Sequence, residues 1–487
     1  MKKLAVLLFI MCISISAVAC TLNIEKNAEN LTSYTAELVY DHQNHSLQGE
    51  MIVNYLNTSQ TTLNEVKFNL YANAFRDGSK QSVISLAKYE ECYYNGFSFG
   101  KINIISTNKL NFSVGGTDQN VLTVELSQPL LPTKRAEICI NFEITLPNIS
   151  HRFGYGENTV NFGNFLPTAC VFENGKWQEI EYHSNGDPFF SEVANYFITI
   201  SYPEHLILTS SGVCGSTEIV GETSTKKITA LSVRDFAMVL SDKLQLVTGE
   251  ADGVKVNYYY HSDKNFTTSL DTAVKAVKTF NGLFGKYPYK ELNVVEANFC
   301  IGGMEFPNLV LIGDTITDYD TYQQVIVHEI SHQWWYGIVG NNQNCFAWLD
   351  EALAEFSTAL FYGKNAGYNL TYDSIIQKAN TNMMVYETIY GDVLGEVDKS
   401  MNRSLKDFET ENEYIFTTYV QGLLMFDSLK SLISEKVVIK CLKNYLAEYA
   451  FQIVTPANLI ASFQKTTSLN LEPFFNSWIQ GNVVFNS

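Results

Sequence analysis

Apolar and polar positions alternate in short runs through the first half of the chain. Leu47–Tyr55 settles into a two-residue period at its end, and Val121–Leu126, Ile138–Ile144 and Tyr196–Ile200 repeat the pattern. Such alternation marks strands with one buried face. Turn-forming clusters separate the runs, among them Asn174-Gly175 and Asn185-Gly186-Asp187-Pro188. From about Ser33 to Val247 the pattern therefore predicts a large antiparallel all-β domain. After Gly253 the period changes. Val254–Tyr260 and Leu292–Ala297 still read as strands, but Leu270–Phe284, Tyr322–Tyr336, Leu349–Tyr362, Phe416–Leu432 and Lys436–Tyr449 carry helical spacing. The chain is thus expected to be multidomain, with a β domain over residues 20–247 and a mixed α+β, mainly helical domain over residues 248–487.

Composition narrows the function. The chain has 487 residues, 46% of them hydrophobic and 17% charged, which is ordinary for a folded protein with ample core. Its formal charge of −18 offers no basic footprint for nucleic acid. The first residues read as an export leader: Lys2 and Lys3, an apolar run from Leu4 to Ile15, then Ala17-Val18-Ala19-Cys20. Cleavage after Ala19 would leave Cys20 first, where a lipid anchor would attach the protein to the cell surface; cleavage without lipidation would secrete it. Seven cysteines lie beyond Cys20, dispersed and without a C-x-x-C pair. They read mostly as buried apolar positions, with room for one or two disulfides in an exported protein.

His328-Glu329-Ile330-Ser331-His332 carries the chemistry. Within a helix, positions i and i+4 share a face, so His328 and His332 can offer two nitrogens to one zinc ion. Glu329 stands beside them as a base for water. The isolated histidines His42, His45, His151, His183, His205 and His261 read as surface or hydrogen-bonded side chains rather than ligands. Catalytic zinc needs a third protein ligand and an open position. A metzincin pattern is excluded, because Trp335 and Ile338 stand where its glycine and third histidine would be. A carboxylate from the following helix is the alternative, and Asp350, Glu351 and Glu355 compete for the role.

The spacing from His332 through eighteen residues to Glu351, inside Trp348-Leu349-Asp350-Glu351, resembles the gluzincin aminopeptidases of the membrane alanyl-aminopeptidase type. Gln333-Trp334 matches as well. Gly302-Gly303-Met304-Glu305 is similar to the exopeptidase signature of that family, with Phe306 where asparagine is usual. Tyr419-Val420-Gln421-Gly422 is similar to its Y-x-K-G segment, with Gln421 replacing lysine. Phe68–Phe75 and Val233–Ala237 resemble the amino-terminal domain of bacterial members. The resemblance implies a thermolysin-like catalytic domain behind the β domain, and one zinc ion per chain on His328, His332 and Glu351. It further implies Glu329 as general base, Tyr419 as oxyanion donor, Gly302, Gly303 and Met304 along the substrate, and Glu305 on its free amine. The substrates implied are peptides with free amino termini. No match is found for a second amine-binding residue from the β domain. Many members continue into a helical domain beyond the catalytic one, and a short form implies a more open cleft or closure by a partner. Two rival readings are a zinc endopeptidase or oligopeptidase, and a non-catalytic zinc-binding surface lipoprotein.

Overall fold

The computed structural model describes residues 22–395, 397–483 and 485; the expected leader, residues 1–19, and Cys20 lie outside them. Among the described residues no helix is long and apolar enough to cross a membrane. The alternating runs form a seven-stranded sheet in the order Val213–Val220, Thr223–Val233, Ala194–Pro203, Ser33–Asp41, Ser46–Leu56, Arg135–Thr145 and Lys101–Ser106. In Ser33–Asp41, Tyr34, Ala36, Leu38 and Tyr40 are buried while Thr35, Glu37 and Val39 face outward. Two four-stranded sheets and the two-stranded hairpin Phe172–Glu173 with Lys176–Trp177 complete the β half. The expectation of a wholly antiparallel domain needs one correction: Ser33–Asp41 runs parallel to Ala194–Pro203, pairing Tyr34 with Tyr196 and Leu38 with Ile200. The two strands are far apart in sequence, and a long connection can return to the sheet in either direction.

The second half is built on a five-stranded sheet, ordered Gln245–Ala251, Val254–Tyr260, Glu291–Ala297, Leu309–Gly313 and Gly303–Met304. Its central strands are parallel, joined by the crossover helix Phe266–Leu283. They are buried almost throughout, as expected for a sheet covered on both faces. The two-residue strand Gly303–Met304 lies antiparallel on its outer edge. One hydrophobic core runs from Tyr34 in the first sheet to Ile479 near the end of the helical part.

Three helices frame the site. Tyr319–Ser331 begins at Asp318, whose carboxylate accepts hydrogen bonds from the Thr321 backbone N–H (2.9 Å) and hydroxyl (2.6 Å). This helix is shorter than the period suggests, ending near Ser331 rather than running to Tyr336. The chain turns back there, with Gly337 N–H donating to the His332 carbonyl (2.9 Å) and Tyr336 at a φ of 123°. The second helix, Trp348–Lys364, carries Glu351 in its first turn. The third, Tyr372–Leu394, was not anticipated from the sequence and forms a wall of the cleft.

Candidate metal centre and substrate cleft

The helix Tyr319–Ser331 presents His328 and His332 on one face, with their Nε2 atoms 3.1 Å apart. The Glu351 Oε2 atom lies 3.2 Å from the first and 3.3 Å from the second. His332 Nδ1 is 2.9 Å from the Trp335 carbonyl oxygen, so the proton belongs on Nδ1 and the Nε2 lone pair points into the cluster. His328 Nδ1 faces Glu355 Oε1 at 3.0 Å, off the line of a good hydrogen bond, and its Nε2 likewise points inward. The turn that shortens the first helix thus has a purpose, since it brings the Trp335 carbonyl back onto His332.

The three carboxylates that competed in the sequence are separated by position. Glu351 faces both imidazoles. Asp350 turns away to accept from Asn341 (3.0 Å) and Gln343 (2.9 Å), and Glu355 supports His328 from behind. Two imidazole lone pairs and a carboxylate oxygen directed at one point repel each other unless a cation is shared between them. His328, His332 and Glu351 are the group among the described residues whose donor atoms converge in this way. The two-nitrogen, one-oxygen set fits zinc, with room left for a fourth ligand. Burial opposes charge on both imidazoles, but Glu351 and Glu355 outweigh it and hold His328 well above the usual histidine range. Glu351 outweighs burial at His332 in the same way. An anionic pull that favours imidazolium protons also favours a divalent cation in their place.

Glu329 is buried beside His328 and His332. Burial pushes it up to about 8, against the opposing pull of His328 and His332. Gly303 passes directly over it: a Cβ on Gly303 would overlap the Glu329 carboxylate. Gly302 takes a left-handed φ of 93°, which lets the short edge strand turn into the cleft. Met304 is fully buried, and Glu305 follows with its Oε1 accepting from Gln343 Nε2 (2.9 Å). Phe306, the departure from the family pattern, is a packing residue. Its ring fills the space left by Gly163 of the β domain, and its carbonyl accepts from Gln333 (3.2 Å).

Tyr419 comes from a π-helical turn, Phe416–Val420, between the helices Glu411–Ile415 and Gln421–Ile433, where the sequence predicts one regular helix. Its phenol donates to Glu351 Oε1 (2.8 Å), the oxygen not facing the histidines. The cleft around these groups measures about 650 Å³. The β domain contributes Arg152 and Asp187 to its lining; the two form an ion pair, and Asp187 lies close enough to raise the Glu305 carboxyl further after burial has done so. Neither residue was singled out as functional from the sequence. Asp187 belongs to the Asn185-Gly186-Asp187-Pro188 turn, and no local pattern distinguishes a turn aspartate that reaches a cleft from one that meets solvent.

Comparison with known proteins agrees with this geometry. The model of the peptidase family M1 domain matches residues 268–478. Endoplasmic reticulum aminopeptidase 2 of Bos taurus is 23% identical over 336 residues, covering 65% of this chain and 34% of its own length. Aminopeptidase N of Lactobacillus delbrueckii subsp. lactis is 22% identical over 273 residues, covering 50% and 30%. The chain thus spans about a third of the length of these curated relatives. The M1 zinc metallopeptidase of Deinococcus radiodurans shares the fold, with a TM-score of 0.66 at 13% identity over 93% of this chain and 95% of that one. A variant of that peptidase bound to a Tyr-Ser-Ala substrate superposes with a TM-score of 0.65 at 13% identity, over the same shares of both chains. Residues 268–478 are thus similar to the peptidase family M1 domain, and they lie behind a β domain whose fold is shared with the Deinococcus radiodurans structure.

Proposed function

We propose that the protein is a zinc aminopeptidase that hydrolyses amino-terminal residues from short peptides. The observation that carries this reading is the placement of Glu305, a buried carboxylate immediately after the edge strand Gly303–Met304, whose Gly303 lies over Glu329. His328, His332 and Glu351 hold the ion. A zinc ion held there would supply Lewis acidity to the scissile carbonyl and to the attacking water. Glu329 takes the proton from the attacking water and returns it to the leaving amine. Tyr419 donates its phenol to the oxygen on which charge develops. Glu305 accepts a charge-assisted hydrogen bond from the α-ammonium, with Asp187 adding negative charge from the β domain. Internal peptide segments have no such cation to offer. The tripeptide bound by the Deinococcus radiodurans relative supports short peptides as substrates.

Export is part of the proposal. The leader-like residues before Cys20 support it, as does a buried disulfide between Cys92 and Cys300, a bond that persists in oxidising compartments. Lipid attachment at Cys20 would place the enzyme at the cell surface, and mass spectrometry of the mature amino terminus tests it.

The decisive experiment is hydrolysis of aminoacyl amides and of matched N-acetylated peptides, with chelator, with zinc restored, and with Glu329→Gln. Activity on free amines alone, lost with chelator and regained with zinc, is expected. Glu329→Gln should reduce the rate by about 10²–10⁴-fold with one zinc retained per chain. Equal cleavage of acetylated peptides would make the protein an endopeptidase instead.

A further inference from the structure

We infer that the Cys92–Cys300 disulfide is a positioning device for the substrate strand, through which the β domain fixes the amine-binding end of the cleft. This inference rests on the aminopeptidase reading. Cys300 stands immediately before Ile301-Gly302-Gly303-Met304-Glu305, and its partner lies 208 residues earlier, in the short helix Tyr89–Cys92 of the β half.

The strand needs outside support. Only Gly303 and Met304 pair with the sheet, on its outer edge and with one neighbour, Leu309–Gly313. The two glycines just before Met304 leave the backbone free to swing. Two paired residues and a glycine hinge are too little to hold a carboxylate to the tolerance that substrate positioning requires.

The preceding loop is instead tied to the β domain at several points. Asn298 Oδ1 accepts from the backbone N–H groups of Asn158 (2.5 Å) and Thr159 (2.9 Å), and Asn298 N–H donates to the Thr159 hydroxyl (2.9 Å). Asn161 Nδ2 donates to the Asn298 carbonyl (2.9 Å), and Cys300 N–H to the Ser150 carbonyl (3.2 Å). The disulfide is the covalent member of this set, placed closest to the glycines. Cys92 and Cys300 are 0% and 1% exposed, so the bridge is sealed within the core rather than offered to solvent thiols.

The remaining five cysteines beyond Cys20, including the buried Cys170 and Cys441, are unbridged. The one bridge among the described residues therefore joins a β-domain segment to the loop that carries Glu305.

The test compares the wild type with Cys92→Ser/Cys300→Ser and, separately, with Asn298→Ala, which removes the two bonds to Asn298 Oδ1 but keeps the backbone ties and the bridge. Zinc content, thermal unfolding, KM and kcat on aminoacyl amides, and hydrogen exchange over residues 299–305 are measured on each. Peptide mapping of the wild type should show residues 92 and 300 joined. Without the bridge, KM for free-amine substrates should rise about tenfold or more while kcat changes less, because binding of the amine end is what loosens. Exchange over residues 299–305 should accelerate while zinc stays at one per chain, and Asn298→Ala should move both readouts the same way. A folded, zinc-loaded double variant with wild-type KM and wild-type exchange would overturn the inference, as would free thiols at both positions in the wild type. If the double variant does not fold, Cys92→Ala/Cys300→Ala, which breaks the bridge without burying hydroxyls, decides by the same two readouts. A wild type inactive on every aminoacyl amide would refute the aminopeptidase reading instead, and the exchange comparison would still decide the positioning role.

Discussion

The Tyr419 phenol is bonded to Glu351 Oε1, so one hydroxyl serves both a metal ligand and the oxyanion position proposed beside it. Tyr419→Phe should lower kcat by about 10²–10³-fold with KM nearly unchanged, the loss expected for one oxyanion donor. Zinc content measured in parallel separates the two roles, because loss of metal would make Tyr419 chiefly a support for Glu351. A second residue-scale consequence lies away from the metal. Asp235 is buried, accepting hydrogen bonds from the Phe236 N–H (2.8 Å) and from the Asn164 side chain. Burial pushes its carboxyl from 3.8 up to about 7. The folded state therefore holds a proton there that the unfolded chain releases near pH 4. The stability so gained is full below that pH and is lost as pH rises through 7. Urea unfolding at pH 5 and pH 8 should show the wild type losing up to about 3 kcal/mol relative to Asp235→Asn, which has no such proton to lose. At this scale the metal set was legible because its chemistry is local: two histidines one helical turn apart and a carboxylate on the next helix. Asp187 and Arg152 were not, because they reach the cleft only when two halves of the chain meet.

Elements decide how those side chains are aimed. The edge strand Gly303–Met304 runs so close to Glu329 that position 303 tolerates no side chain. Gly303→Ala should displace the Glu329 carboxylate and cut kcat/KM by about 10²-fold with zinc retained, as measured on an aminoacyl amide. A neutral result would mean that Glu329 has another working position. Two helices differ from their sequence pattern where function bears on them. The first ends at Ser331 although apolar residues continue to Tyr336, because His332 takes the Trp335 carbonyl as its partner. The helical stretch around Tyr419 opens into one π turn, a feature common at functional sites, and so redirects the tyrosine. Periodicity reports which residues are apolar, and it is blind to both events. The long helix Tyr372–Leu394 was missed outright. Its start was marked by Thr371 and Ser374, which cap one another, but its outer face mixes apolar and polar residues and blurs the helical period.

Over the whole molecule, the two halves are locked by buried polar contacts as well as by a shared core. Arg234 of the β half is 1% exposed and donates to three carbonyls, those of Tyr336 (3.0 Å), Ser191 (2.8 Å) and Gln452 (3.1 Å). Tyr336 and Gln452 belong to the second half. Gly340 lies against the guanidinium so closely that a Cβ would overlap it. Arg234→Met should leave the Tyr336 and Ser191 carbonyls without this donor, while Gln452 keeps the Gly340 N–H (3.1 Å), and cost about 3 kcal/mol, seen as a lower midpoint in thermal unfolding. A loss under about 1 kcal/mol would show that water replaces the side chain. By itself the sequence determined the order of β and helical parts and the pairing of His328 with His332 around Glu329, which is encoded in spacing along one helix; Glu351 and Glu305 were singled out only by the family resemblance. Tertiary structure alone decided that Asp187 lines the cleft near Glu305 and that Phe306 packs on Gly163. It also decided that Arg234 spans the junction and that Cys92 pairs with Cys300. Those pairings join segments tens to hundreds of residues apart, and no local period records which distant segments will meet when the core closes.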